Sequence, residues 1–294
     1  MANKVTAKDV AREAGVSVAT VSYVLNDRTD QKISPETKKK VIQIANLLNY
    51  VPSYAAKSLA TGRNNAIGIS YMLSSSQTRN AELMAFANLL IERFNRMKYD
   101  VTYVPAHKHE ENAPVNRNID AIIAIDLTQE DFRIMADDYL VPVICVDMLV
   151  NDDLFYQVYE DIPFLAQKAR MELGSPKKCY FIYDTYENGA YDNFILNGDA
   201  SIFPLKSREM TPAMIDNIAG NKVIICGAYL ALSLLPFIKR EDVCVILSEK
   251  ERYLLPEDVK TLVNNDEKKA NLTMNLVMNA MNHNFEINHD HRIR

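Results

Sequence analysis

The sequence predicts two architectures in one 294-residue chain: an all-α helix-turn-helix head followed by an α/β body. Three observations carry this. Thr6 to Asn26, TAKDVAREAGVSVATVSYVLN, reads as two short helices separated only by Gly15-Val16-Ser17. Beyond Gly62, short Ile/Val-rich runs alternate with helical patterns, the order of parallel sheets covered on both faces. The charge is divided the same way. Residues 1–63 hold ten Lys/Arg against five Asp/Glu, and the remainder holds 23 against 33, so a basic head precedes an acidic body. The length itself suits about two domains.

In the head, Thr6 can cap a first helix that carries Asp9 in its first turn and turns Val10, Ala11 and Ala14 to one apolar face. Gly15 supplies the stop, where a left-handed residue ends a helix without a Cβ penalty. Ser17 caps a second helix with Val21, Val24 and Leu25 inward. Helices joined this tightly cross steeply, which is the geometry that sets the second helix, N-terminal end first, into a DNA major groove; a plain helical hairpin is the alternative. Ser34-Pro35-Glu36 starts a third helix, with Val41, Ile42, Ala45 and Leu48 as its expected buried stripe. Pro52 breaks the backbone. Ser53 to Ala60 then offers barely two turns, too few for an isolated helix, so this segment is expected to fold only when held.

The residues D9-V-A-x-x-A-G-V-S-V-A-T-V-S, V-L-N26, S34-P-E-T, L48-N-Y-V-P52 and A56-K-S-L-A-T-G62 occur in one order, and over Val5 to Gly62 the chain resembles the lactose/galactose repressor family of bacterial transcription regulators. The resemblance implies a helix-turn-helix domain over 1–50, a hinge helix or linker over 51–62, and a two-lobed periplasmic-binding-protein-like core over 63–294 that binds an effector and dimerises. It implies a repressor that binds a near-palindromic double-stranded operator as a homodimer, with a tetramer also open and no cofactor. The DNA-contacting positions it implies are Thr6, Ser17, Val18, Ala19, Thr20, Ser22, Tyr23, Asn26 and Arg28 in the head, and Ala56, Lys57 and Leu59 in the hinge. Leu59 matches the leucine that wedges between base steps, and Ala56 the small residue that seats the hinge close to the groove floor; packing within its own domain is the other reading of Leu59. Lys4, Lys8, Arg12, Arg28 and Lys32 are available for phosphates.

In the body, strands are expected at 66–71, 101–104, 121–125, 143–146, 179–183, 223–226 and 243–247. Helices are expected at 81–97, 132–139, 163–173, 228–238 and 268–282. Cys145, Cys179, Cys226 and Cys244 each fall in an apolar run without a C-x-x-C pair, which points to buried free thiols. The H-x-H pairs His107/His109 and His289/His291 lie in polar stretches that read as solvated, and no metal is expected. A phosphate-cradling glycine loop and a nucleophile elbow are both missing from the sequence. These features speak against an enzyme on a two-lobed scaffold. The absence of an apolar leader or an eighteen-residue apolar run speaks against a secreted solute-binding or membrane protein and places the chain in the cytoplasm.

Three departures from the family pattern bear on specificity. The residue after Ser22, commonly an arginine that reads guanine, is Tyr23, which cannot make the bidentate contact to O6 and N7. The family's N-P-F-F-like segment is replaced by Gln77-Thr78-Arg79-Asn80, and its sugar-binding Asn-Asp by Gly227-Ala228. The segment between Tyr183 and Met210 is short, and the arginine that commonly meets the ligand there is not identifiable in it. Sugars are held by convergent polar groups, so these losses argue against an ordinary sugar ligand. Tyr71, Arg79, Tyr183, Tyr186 and Tyr229, with Glu249 in place of a later family aspartate, are the candidates for a different small effector, and a protein co-regulator is the other partner considered. Tyrosines at strand ends also serve as packing residues.

Overall fold

The structure, a computed structural model, describes residues 5–25, 32–50, 63–106, 118–197, 200–285 and 287–294. It divides into two compact units, Met1–Asn64 and Asn65–Arg294. In the first, α1 (Ala7–Ala14), α2 (Val18–Leu25) and α3 (Pro35–Leu47) enclose Val10, Ala11, Ala14, Val21, Val24, Val41 and Ala45. Gly15 takes φ +68° and lets α1 end within one residue. On α3 the stripe differs from expectation at one place. Ile42 is 46% exposed, and Ile44 packs against the core in its place beside the expected Leu48, because the helix turns the face of Val41 and Ala45 inward.

The second unit holds two all-parallel sheets. The first comprises β1 (Ala66–Tyr71), β2 (Asp100–Tyr103), β3 (Ala121–Ile125), β4 (Val143–Val146), β5 (Tyr156–Glu160) and β11 (Asp290–Ile293), in the order β11-β5-β4-β3-β1-β2. Helices α4 (Gln77–Arg96), α5 (Gln129–Asp138) and α10 (Asp266–Met281) belong to this lobe. The second sheet comprises β6 (Cys179–Tyr183), β7 (Ile202–Lys206), β8 (Lys222–Cys226), β9 (Val243–Leu247) and β10 (Lys260–Val263), in the order β10-β9-β8-β6-β7. With it go α6 (Ile162–Glu172), α7 (Gly189–Leu196), α8 (Pro212–Ile218) and α9 (Ala228–Leu234). Each sheet buries an apolar layer on either face. The four cysteines sit on β4, β6, β8 and β9 as free thiols.

Most strands begin and end within a residue of expectation, because a strand buried on both faces is a bare apolar run. The strand β5 was not legible: Gln157 and Glu160 lie buried inside it and break the apolar signal. The edge strands β7, β10 and β11 are largely half-exposed or exposed, with Pro204 inside β7 and polar residues in β10 and β11, and α7 and α8 span only two turns. Helix α4 starts four residues before its apolar face does, because Ser76 caps it by accepting from the Arg79 amide at 3.3 Å. Helix α9 stops at Leu234 and passes into a 3-10 turn at Leu235–Phe237, where Pro236 has no amide hydrogen for the ladder.

The chain passes from the first lobe into the second after β5 and returns after β10. The two crossings are tied side by side. Glu160 Oε1 accepts from the Asn265 amide at 2.9 Å, Asn265 Nδ2 donates to the Arg294 carbonyl at 3.2 Å, and Arg294 Nε meets Asp161 Oδ2 at 2.8 Å. The cleft therefore lies between the carboxyl ends of two parallel sheets, the usual ligand position in open α/β folds.

Candidate functional site

The head presents a small, largely uncharged face at the start of α2. Ser17 Oγ accepts from the Thr20 amide at 3.0 Å and pairs with the Thr20 hydroxyl at 2.9 Å, which caps the helix and fixes its entry. Ser17, Val18, Ala19 and Ser22 are exposed, with Val18 at 43%, and Thr20 and Tyr23 are half-buried. Val21 and Val24 occupy the opposite side and anchor the helix on α1 and α3. Thr6 donates its amide and hydroxyl to Asp9 Oδ2 at 2.9 and 2.7 Å, which holds the Asp9 carboxyl below its usual range. Arg12 pairs with Asp9 at 3.1 Å, so a phosphate would compete with this carboxylate, whereas Lys8 and Lys32 are exposed. Lys4, Asn26, Arg28, Ala56, Lys57 and Leu59 lie outside the described residues.

In the body, a cavity of ≈ 50 Å³ sits between the lobes. Its charged lining comes from Arg79 and Glu82 of α4, Asp266 and Lys269 of α10, Asp147 and Glu160 at the ends of β4 and β5, and Glu251 of the second lobe. Asp126 and Asp147 follow β3 and β4 directly, at φ +50° and +48°, a left-handed region that aspartate tolerates better than most residues. Those turns place both carboxylates at the tops of their strands. Arg79, from the first turn of α4, donates to Asp126 Oδ2 through Nη2 at 2.9 Å and Nε at 3.3 Å, and its guanidinium lies 4.0 Å over the Tyr186 ring. Burial pushes the Asp126 carboxyl up to about 6 despite that guanidinium. Lys269 of α10 reaches Asp147 Oδ2 at 2.8 Å and Asp266 at 3.2 Å. Burial alone would lower the Lys269 ammonium, but Asp147, Asp266 and Glu160 hold it well above its ordinary value.

The second lobe closes over this charge layer. Asn188, which caps α7, bridges the lobes: its amide donates to Asp126 Oδ1 at 3.0 Å, Nδ2 donates to the Leu127 carbonyl at 3.0 Å, and Oδ1 accepts from the Leu149 amide at 3.0 Å. Asp184, after β6, accepts from Ser76 and Thr78 of the first lobe and from Ser207. Gly227 takes φ +109° and lies against Glu82: a Cβ there would come within 1.9 Å of Glu82 Oε1. The missing side chain at Gly227 is what makes room for Glu82.

Of the sequence-derived effector candidates, Arg79 and Tyr186 line the cavity, and Tyr71, Tyr183, Tyr229 and Glu249 do not. Tyr183 shares its face of β6 with Phe181 by the period of two, stacks on it, and donates its hydroxyl to Asp192 at 3.2 Å inside the second lobe's core. Tyr71 packs on Tyr103 at the end of β1. Tyr229 is half-buried on α9. Glu249 is exposed at the start of a 3-10 turn, and Glu251, two residues on, faces the cavity in its place. Glu82, Asp126, Asp147, Asn188 and Lys269 were missed. Two of them had a signal: the apolar runs AIIAI and VICV each end in an aspartate, the residue a strand top turns toward a cleft. The His289 and His291 rings pack near Tyr156, at 4.2 and 6.3 Å, and His107 and His109 lie outside the described residues. Among the described residues no helix is long and apolar enough to cross a membrane.

Residues 6–53 match the model of bacterial regulatory proteins, lacI family. Over 205 residues the chain is 30% identical to catabolite control protein A of Staphylococcus epidermidis, a match covering 67% of this chain and 57% of that protein. Over 62 residues it is 55% identical to the HTH-type transcriptional regulator RegA of Clostridium saccharobutylicum, covering 21% and 18% of the two chains. The matched stretch thus spans less than two thirds of these relatives. In fold, the chain resembles the Lac repressor dimer bound to operator and the anti-inducer ONPF, with a TM-score of 0.65 at 16% identity over 99% of this chain and 96% of that one. These relatives are transcription regulators, and the family model covers the three-helix head. The chain belongs to the lacI family of bacterial regulatory proteins.

Proposed function

We propose that this protein is a sequence-specific DNA-binding transcription regulator of the repressor type, which binds a near-palindromic operator as a homodimer. The observation that supports this most is the exposed start of α2, where Ser17, Val18, Ala19 and Ser22 stand clear of the core on a capped helix inside residues 6–53. A helix so presented enters a major groove by its N-terminal end, and a two-fold dimer reads two half-sites. Thr6, Thr20 and Tyr23 complete the head's contact surface, and Asn26, Arg28, Ala56, Lys57 and Leu59 extend it. The cleft of the body modulates DNA affinity by holding the two lobes in one arrangement.

A free monosaccharide is not the effector in this reading. The cavity of ≈ 50 Å³ is about a third of the roughly 150 Å³ that holds a benzene ring. The two cations of its wall are committed to the Arg79–Asp126 and Lys269–Asp147 pairs.

The test is fluorescence anisotropy of the full chain on a duplex selected from a random pool, with salt titrated. Saturable binding of two protomers per near-palindromic site, weakening steeply with salt, is expected from several phosphate contacts. Binding independent of salt and sequence, or no binding, refutes the assignment.

A further inference from the structure

The cavity between the lobes has a hydrogen-bond imbalance that names the chemistry of its occupant. The two cations in its wall are committed. Arg79 gives Nε and Nη2 to Asp126, and Lys269 gives Nζ to Asp147 Oδ2 and Asp266 Oδ1. Three oxygens remain that are shut off from solvent and have no hydrogen-bond partner: Glu82 Oε1, Asp147 Oδ1 and Asn264 Oδ1. All three residues line the same cavity, and Asp147 is only 5% exposed. An oxygen left this way is costly, and native structures satisfy nearly all such groups.

The three orphans are all acceptors, so the missing partner is a donor. One water offers two hydrogens and a single hydroxyl one, whereas an ammonium group offers three or four. The lining carries five carboxyl groups against two cations, and its unpartnered oxygens are acceptors, so an anion or a neutral acceptor is disfavoured. Among the described residues no group of three His, Cys, Asp or Glu side chains is placed to hold a metal ion. Leu83, Phe86, Ile246 and Leu247 form an apolar part of the wall, suited to a short alkyl stub. At ≈ 50 Å³ the space admits an ammonium with a carbon or two and excludes a sugar ring.

We propose that the inter-lobe cleft binds a compact ammonium donor, either the ammonium ion or the amine end of a very small organic amine, across Glu82, Asp147 and Asn264. This rests on the reading of the cleft as the effector site. Gly227 belongs to the same device. Its missing side chain is what allows Glu82 Oε1 to stand at the cavity wall.

The experiment is isothermal titration and thermal shift on the full chain with ammonium chloride and methylammonium chloride, against potassium chloride, sodium chloride and glucose at matched ionic strength. A saturable response to one or both ammonium salts, absent with the other three, is expected. Preference for methylammonium identifies an organic amine, and preference for ammonium the free ion. Glu82→Gln, nearly isosteric, should weaken the response at least tenfold while the circular dichroism spectrum is kept. Gly227→Ala, whose Cβ displaces the Glu82 carboxylate, should act likewise. An ammonium response no larger than that of potassium or sodium, or one unchanged in a folded Glu82→Gln variant, overturns the proposal. Operator binding is measured on the same preparations. Ammonium binding without any DNA binding refutes the regulator reading and leaves the ligand class standing, and the converse result refutes the ligand class alone.

Discussion

Asn188→Ala should cost the body a large part of its stability, because this one side chain stitches the two lobes. Asn188 is 1% exposed. Its Oδ1 accepts from Leu149 N at 3.0 Å and Tyr191 N at 2.9 Å, and its Nδ2 donates to Leu127 O at 3.0 Å. Truncation removes the partner of three backbone groups in a buried setting. At about 1–3 kcal/mol for each buried group left unpaired, the sum is roughly 3–9 kcal/mol. Water entering the space of the lost amide recovers part, so the expected loss is about 3–5 kcal/mol, a large share of an ordinary domain's stability. Asn188→Asp keeps both acceptor bonds but sets a carboxylate against the Leu127 carbonyl, so it should fall between wild type and alanine. The assay is urea unfolding of the full chain followed by tyrosine fluorescence, which reports mainly the body, since twelve of the fifteen tyrosines lie beyond residue 64 and there is no tryptophan. An unchanged slope with a lower midpoint reads as lost stability. A loss under about 1 kcal/mol in Asn188→Ala would show that these bonds are readily replaced by solvent, and the account of the bridge would fail.

Three further outcomes are expected. Tyr23→Arg should move half-site preference toward guanine at one position by about 1–3 kcal/mol, read by binding-site selection, and identical half-sites for both proteins would sink the assignment of Tyr23 to base readout. Leu59→Ala should reduce DNA bending, measured by gel mobility of permuted sites, while the circular dichroism of the body stays unchanged; an unaltered bend removes the wedge role. Glu160, whose carboxyl is pushed up to about 8 chiefly by burial, keeps a proton in the folded body that the unfolded chain releases near its ordinary 4.5. Its contribution to stability is therefore fully present below pH 4.5 and is lost as pH rises through about 8. Glu160→Gln should flatten the decline of the melting temperature over that window, and an unchanged decline would locate the titration elsewhere.

The sequence by itself determined the head and the framework of the body. Gly15, Ser17 and the apolar residues of α1 and α2 specify their helices through caps and local periodicity, and such signals act over a single turn. Strands such as 121–125 and 143–146 were legible for the same reason, since burial on both faces leaves an uninterrupted apolar run. Buried polar positions were not legible. Gln157 and Glu160 hid β5, and Glu251 rather than Glu249 faces the cavity because of a turn that capping geometry sets. Only the tertiary structure decided what the cleft contains. Arg79 meets Asp126 across 47 positions, Lys269 meets Asp147 across 122, and Asp184 meets Ser76 across 108. No local pattern encodes such partners. A charged residue in a polar segment reads as solvated until the fold removes its water, and the partner that replaces that water is chosen by which strand ends the topology brings together.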